Sequence, residues 1–174
     1  AAGIFRIIPA LAVGSLDYAS WGGGKNVGFM PWVSACRGKR VVCDIGAHVG
    51  LTALPVSRVL APDGVCYAFE PAAANANALE RHIAMNGCRN IVPIRALVGA
   101  DDRAAIPFHE HASVVGTNSI VVTKDAEQYR QTTHPQVTLD AFCAARGILP
   151  EVIKMDIEGG ELGALLGARG VLAR

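Results

Sequence analysis

The chain has 174 residues, 51% of them hydrophobic, and a mean hydropathy of +0.32. That suits one domain with a sizeable core and excludes a disordered chain. Sixteen basic residues against 15 acidic ones leave a net charge of +1, which excludes the basic balance of a protein that coats nucleic acid.

Residues 1 to 38 read as an irregular or helical extension, broken at "SWGGGK". Its opening, "AAGIFRIIPALAVG", lacks the charged first region of a signal peptide, and no apolar run reaches the ~20 residues of a membrane span. A cytoplasmic protein without a membrane span is expected. The five cysteines, Cys36, Cys43, Cys66, Cys88 and Cys143, show no C-x-x-C spacing, so reduced thiols are expected.

From residue 39 to 174 the text becomes regular and reads as one domain. "RVVCDI" is a continuous apolar run, the pattern of a strand covered on both faces. "LTALPVSRVL" follows with helical spacing and a kink expected at Pro55. "GVCYAFE" predicts the second strand, after a "PDG" turn. "AAANANALERHIAMNG" predicts the second helix, with Leu79, Ile83 and Met85 as core positions and Gly87 as its stop. "NIVPIRALV" predicts the third strand. Residues 104 to 123 suggest two short strands in a hairpin beside the main sheet. "VTLDAFCAARGI" is a helix ending near Gly147, "EVIKMDIEGGE" a buried strand entering a Gly-Gly turn, and "ELGALLGARGVL" a final helix.

Strand alternating with helix predicts an α/β fold, a three-layer sandwich around a mainly parallel, Rossmann-like sheet. Ligands bind such sheets at the carboxyl ends of the strands, where "DIGAHVG", "FEP" and "KMDIEGGE" all fall.

The first of these decides the ligand. A dinucleotide loop needs G-x-G-x-x-G, and here Gly46-Ala47-His48-Val49-Gly50 lacks the middle glycine. A Walker loop needs a lysine after its last glycine, and Leu51 stands there. Asp44 would repel a pyrophosphate but favour a cationic sulfonium or amino group. Glu70, at the end of the second strand, can accept both hydroxyls of a ribose. Taken singly, Gly46 and Gly50 could serve a tight turn, Asp44 a helix cap and Glu70 the surface. Taken together at strand ends, they favour S-adenosylmethionine over a nicotinamide cofactor.

"VVCDIGAHVG", "CYAFEPAAANANALERHIAMNG" and "TLDAF…VIKMDIEGGELGALLGA" resemble the FkbM-type methyltransferases, a class I, S-adenosylmethionine-dependent family. The resemblance runs from about residue 40 to 168. It implies O-methylation of a hydroxyl on a sugar, polyketide or related metabolite, so a small-molecule or glycan acceptor and no nucleic-acid partner. By the family pattern, Asp44, Gly46, Ala47, His48 and Gly50 hold the methionine half of the cofactor, Glu70 and Pro71 the ribose, and Ala96 and Leu97 the adenine. Lys154, Asp156 and Glu158 stand at the reaction face. Two departures are visible. His48 replaces the usual asparagine, as a substitute cofactor contact or at the edge of the acceptor site. The chain offers four main strands where class I sheets have seven, so the expectation is a domain lacking its C-terminal strands.

On a strand Lys154, Asp156 and Glu158 share one face, and Ile153, Met155 and Ile157 the other. Asp156 is expected as acceptor-side base or orienting group, with Glu158 second. The competing reading is a structural ion pair of Lys154 with Glu158. His109 and His111 share a face without a third ligand, so no metal site is expected. His134, before Pro135, receives no role, and Ser113 and Ser119 are weak acceptor-pocket candidates. Competing function classes are a cofactor-binding module without activity and a nicotinamide-dependent oxidoreductase.

Overall fold

The computed structural model describes residues 5–8, 27–111 and 129–174. Its centre is a parallel sheet of four strands, β1 (Val41–Ile45), β2 (Val65–Phe69), β3 (Ile91–Ile94) and a strand late in the chain, Val152–Met155, in the order β3-β2-β1 and then that last strand. Val42 pairs with Cys66 on one side and Val152 on the other. This is the α/β sandwich that the alternating pattern predicts.

Side-chain alternation divides the core into two layers. On one face Val42, Cys66 and Ala68 pack with α1 (Phe29–Ala35), α2 (Ala53–Ser57) and Leu79 of α3 (Ala73–Met85). On the other, Cys43, Ile45 and Phe69 meet Leu139, Phe142 and Cys143 of α4 (Leu139–Arg146). Phe142 stands edge-on to Tyr67 and Phe69, with ring centroids 5.4 and 4.8 Å apart. Helix α1 lies within the expected N-terminal extension, yet Phe29, Trp32 and Val33 are buried in the core. All five cysteines are free thiols, four of them buried.

Several elements differ from expectation. "NIVPIRALV" is two strands in two sheets, not one. After β3 the chain turns at Arg95, which is pinned to Glu80 and Asn77 of α3, and β4 (Leu97–Val98) starts a second sheet. Pro93 has no N–H to donate and sits on the edge strand of the main sheet, where such a loss is tolerated. Of the hairpin expected over 104–123, the first strand lies within β5 (Arg103–His111) and the second lies outside the described residues; β5 pairs antiparallel with β6 (Tyr129–Val137). With β4 they form a three-stranded sheet in the order β4-β6-β5. Strand β6 is polar and carries Pro135, so its composition hid it. Ser113 and Ser119 lie outside the described residues.

Helix α2 is shorter than its apolar run, and Pro55 is its third residue. The first four N–H groups of a helix have no partner within it, so no kink follows. Leu79 is buried and Ile83 packs against the core as expected, but Met85 is 38% exposed; Asn75, Ala76, Ala78 and His82 complete the buried stripe of α3. The late strand, β7, is Val152–Met155 and ends before Asp156. The expected final helix is two, α5 (Glu161–Leu166) and α6 (Arg169–Leu172). They part at Gly167, where a side chain would overlap the carbonyl oxygen of Gly99, and the Asp140 carboxylate accepts the N–H groups of Gly170 and Val171, each at 2.8 Å.

Candidate functional site

The loop from β1 to α2 turns tightly because three of its residues take positive φ: Gly46 (+81), His48 (+52) and Gly50 (+90). Gly46 has a second constraint, since a Cβ there would overlap the carbonyl oxygen of Asp156. At Gly50 a Cβ would lie 2.6 Å from Cδ1 of Leu79. Backbone bonds from Gly46 and Ala47 to the Phe69 carbonyl, at 3.0 and 2.9 Å, fasten the loop to the end of β2.

Asp44 is fully buried. Its carboxylate accepts from Thr52 Oγ1 at 2.5 Å and from Lys154 Nζ at 3.0 Å, and the same ammonium donates to Gly46 O at 3.0 Å. Within the chain, the cation beside Asp44 is Lys154. Lys154 shares the Asp44 face of the sheet and clamps the loop from the neighbouring strand.

Glu70 is 6% exposed just past β2. Oε2 accepts the His48 N–H at 2.9 Å, and Oε1 accepts the Ala72 N–H at 3.0 Å and Asn75 Nδ2 at 3.3 Å. Burial pushes its carboxyl up to about 7, against the lowering effect of these donors. Helix α3 has no capping side chain of its own at Ala72, so its first N–H groups find outside acceptors, Glu70 for Ala72 and Glu110 for Ala73.

Ile153, Met155 and Ile157 pack in one apolar layer, as the alternation predicts. Asp156 and Glu158 do not continue the strand. They are exposed on a turn with positive φ at Glu158 (+50) and Gly159 (+98). Glu161, which sequence reasoning missed, shapes this turn by accepting the N–H groups of Ile157 and Gly159 at 3.1 and 2.9 Å. The Asp156 N–H donates to Ile45 O at 3.0 Å, so the turn and the loop after β1 are backbone neighbours.

A profile of the Methyltransferase FkbM domain matches residues 44–174, most of the chain. The chain belongs to the FkbM methyltransferase family. No curated protein sequence matches the chain at a significant level. Among solved structures it is similar to a ribosomal protein L11 methylase from Lactobacillus delbrueckii subsp. bulgaricus, at 22% identity and a TM-score of 0.41, over 54% of this chain and 45% of that one. It is similar to a precorrin-6y C5,15-methyltransferase from Geobacter metallireducens GS-15, at 19% identity and a TM-score of 0.39, over 54% and 47%. It is also similar to the O-methyltransferase TomG from Streptomyces achromogenes, at 23% and 0.36, over 49% and 35%. The chain spans less than half the length of each of these structures.

The FkbM family uses S-adenosylmethionine. Ala96, buried, and Leu97, half-buried, lie just beyond β3. Pro71 is half-buried beside Glu70. His82, also missed, supports the loop from α3: its Nε2 accepts the Ile8 N–H at 2.9 Å, so Nδ1 carries the proton and donates to Val49 O at 2.7 Å. A polar residue three positions after Leu79, on the apolar stripe, was the available signal. Among the described residues, no group of three or more His, Cys, Asp or Glu gathers to hold a metal, and no helix is long and apolar enough to cross a membrane.

Proposed function

We propose that the chain transfers a methyl group from S-adenosylmethionine to a hydroxyl oxygen of a sugar, polyketide or related metabolite. The supporting observation is the fusion of two motifs: the turn presenting Asp156 and Glu158 packs its backbone on Gly46 of the loop after β1. In this reading Gly46, Ala47, His48 and Gly50 hold the methionine half, with Asp44 bracing them from below. Glu70 and Pro71 hold the ribose side, and Ala96 and Leu97 flank the adenine.

When bound, S-adenosylmethionine supplies a methyl carbon already activated by its positive sulfur. The residues then have two tasks, to position an acceptor oxygen and to take its proton. Asp156 is exposed and carries a carboxylate beside the loop, so it takes the hydroxyl proton or orients that hydroxyl. Glu158 assists from the same turn. Lys154 keeps the loop in place through Asp44 and Gly46.

Calorimetric titration with S-adenosylmethionine, its demethylated product and NAD tests the cofactor. Binding of the first two is expected, and tight NAD binding without a response to the sulfonium overturns the reading. Asp156→Ala is expected to abolish transfer to a hydroxyl acceptor while sparing cofactor affinity. Lost affinity would move Asp156 to the cofactor side.

A further inference from the structure

The second sheet reaches into the corner where Glu70 sits. By alternation, Ile106, Phe108 and Glu110 on β5 share a face with Thr132 and His134 on β6. Phe108 and Glu110 are buried while Pro107 and Thr133 are exposed, so this face turns inward. At its end Glu110 Oε1 accepts the Ala73 N–H of α3 at 3.2 Å and lies 2.5 Å from Nε2 of His134. The Glu110 and His134 side chains are 12% and 14% exposed. Thr132 Oγ1 stands 3.1 Å from the same imidazole nitrogen, and the Phe108 ring packs edge-on against it, with centroids 5.4 Å apart.

Two buried carboxylates therefore take successive N–H groups at the start of one helix, Glu70 at Ala72 and Glu110 at Ala73. A helix N-terminus favours negative charge, but neighbouring carboxylates oppose each other's ionisation. A buried carboxylate without a hydrogen-bonding partner is costly. His134 adds a second partner to the Ala73 N–H.

We infer that Glu110 and His134 are positioning residues of the cofactor site: together they hold the start of α3 on the second sheet and contain the negative charge beside Glu70, so that Glu70 meets the ribose hydroxyls as an anion. The inference rests on the assignment of Glu70 to the ribose. Neither residue touches the reacting atoms; both act through Glu70. The titratable groups around Glu70 are His48, whose backbone N–H it accepts, Glu110 on β5 and His134 on β6. Arg130 stands opposite Glu110 in the register and is exposed to water.

The test is calorimetric titration of S-adenosylhomocysteine into the wild-type chain, Glu110→Gln, His134→Phe and the double variant, with thermal melts to verify folding. His134→Phe keeps a ring against Phe108 but removes the side-chain partner of Glu110, leaving it only the Ala73 N–H. It is expected to weaken binding about tenfold near pH 8, and the double variant, with the carboxylate also replaced, to recover to within about threefold of wild type. A purely structural role would not produce that recovery. Wild-type affinity in His134→Phe, or a double variant no better than the single, overturns the inference. Should His134→Phe not fold, Glu110→Gln still offers Ala73 an acceptor. It then lowers the pH of half-maximal binding by about half a unit if the inference holds, and leaves that pH unchanged if it does not. A wild-type chain that binds no S-adenosylhomocysteine overturns the ribose assignment itself, a failure distinct from the others.

Discussion

Lys154 and Asp44 stand side by side on neighbouring strands, with Nζ 3.0 Å from Oδ1, and the lysine reaches on to the carbonyl of Gly46 at the same distance. The pair converts the end of a sheet into the support of a loop. Asp44 is fully buried and Lys154 nearly so, with 18% of its side chain exposed, so neither can be removed alone without leaving a charge in the interior.

Lys154→Met is therefore expected to destabilise the fold by about 3 kcal/mol, and the Asp44→Asn, Lys154→Met double variant by clearly less than the two single changes combined. Urea denaturation of the four proteins in the cycle measures the coupling. Additive losses would mean that the pair contributes no interaction of its own.

Glu70 sets a pH dependence. Its carboxyl ordinarily titrates at 4.5 and in the fold at about 7, so between those values the folded chain holds a proton that the unfolded chain has released. Stability from this group is full below about pH 4.5 and is lost as pH rises through 7, a difference on the order of 3 kcal/mol. Glu70→Gln should flatten that part of the profile relative to wild type in urea midpoints. If Glu70 holds the ribose as proposed, its hydroxyl donors favour the carboxylate, and cofactor binding below pH 7 should release a proton, seen as a buffer-dependent heat.

His82 works in the opposite direction. Burial holds its imidazole below the ordinary 6.5, and the Ile8 N–H leaves no room for a proton on Nε2. The stability it contributes is present above pH 6.5 and is lost as pH falls from there through its lowered value. His82→Phe should lose both hydrogen bonds and this acid sensitivity together. Nitrogen-15 spectra of the ring should show the proton on Nδ1 near neutral pH; a proton on Nε2 would contradict the bond to Ile8.

Gly46→Ala is expected to cost more than Gly50→Ala. The first places a methyl group in the Asp156 carbonyl, which is backbone in a sheet-end turn. The second meets only the far end of the Leu79 side chain. Both also force alanine into positive φ, at about 1 kcal/mol or more. Thermal melts rank the two variants, and equal losses would mean that the Asp156 contact yields easily.

Much of this was legible in the sequence because it depends on local period. The four main strands are short apolar runs, and the motifs fall at their ends. What stayed hidden depends on pairs far apart in the chain. Asp44 looked like half of an ion pair, but nothing in its neighbourhood showed that the other half was Lys154. "MDIEG" alternates like a strand, but Glu161 folds it into a turn that takes Asp156 and Glu158 out of the sheet. Glu110 and His134 carry no signal of their own, since "RQTTHPQ" lacks the apolar alternation by which strands are recognised.

The clamp from Lys154 also imposes an order of events. Asp44 and its partner are separated by 110 residues, so the loop after β1 is completed by a strand far along the chain. A nascent chain emerges with "DIGAHVG" early, but Asp44 lacks its counter-charge until β7 docks beside β1. Contacts this distant in sequence form slowly, because a long stretch of chain must be ordered before they bring any gain. The loop after β1 thus gains its brace only when β7 has docked beside β1.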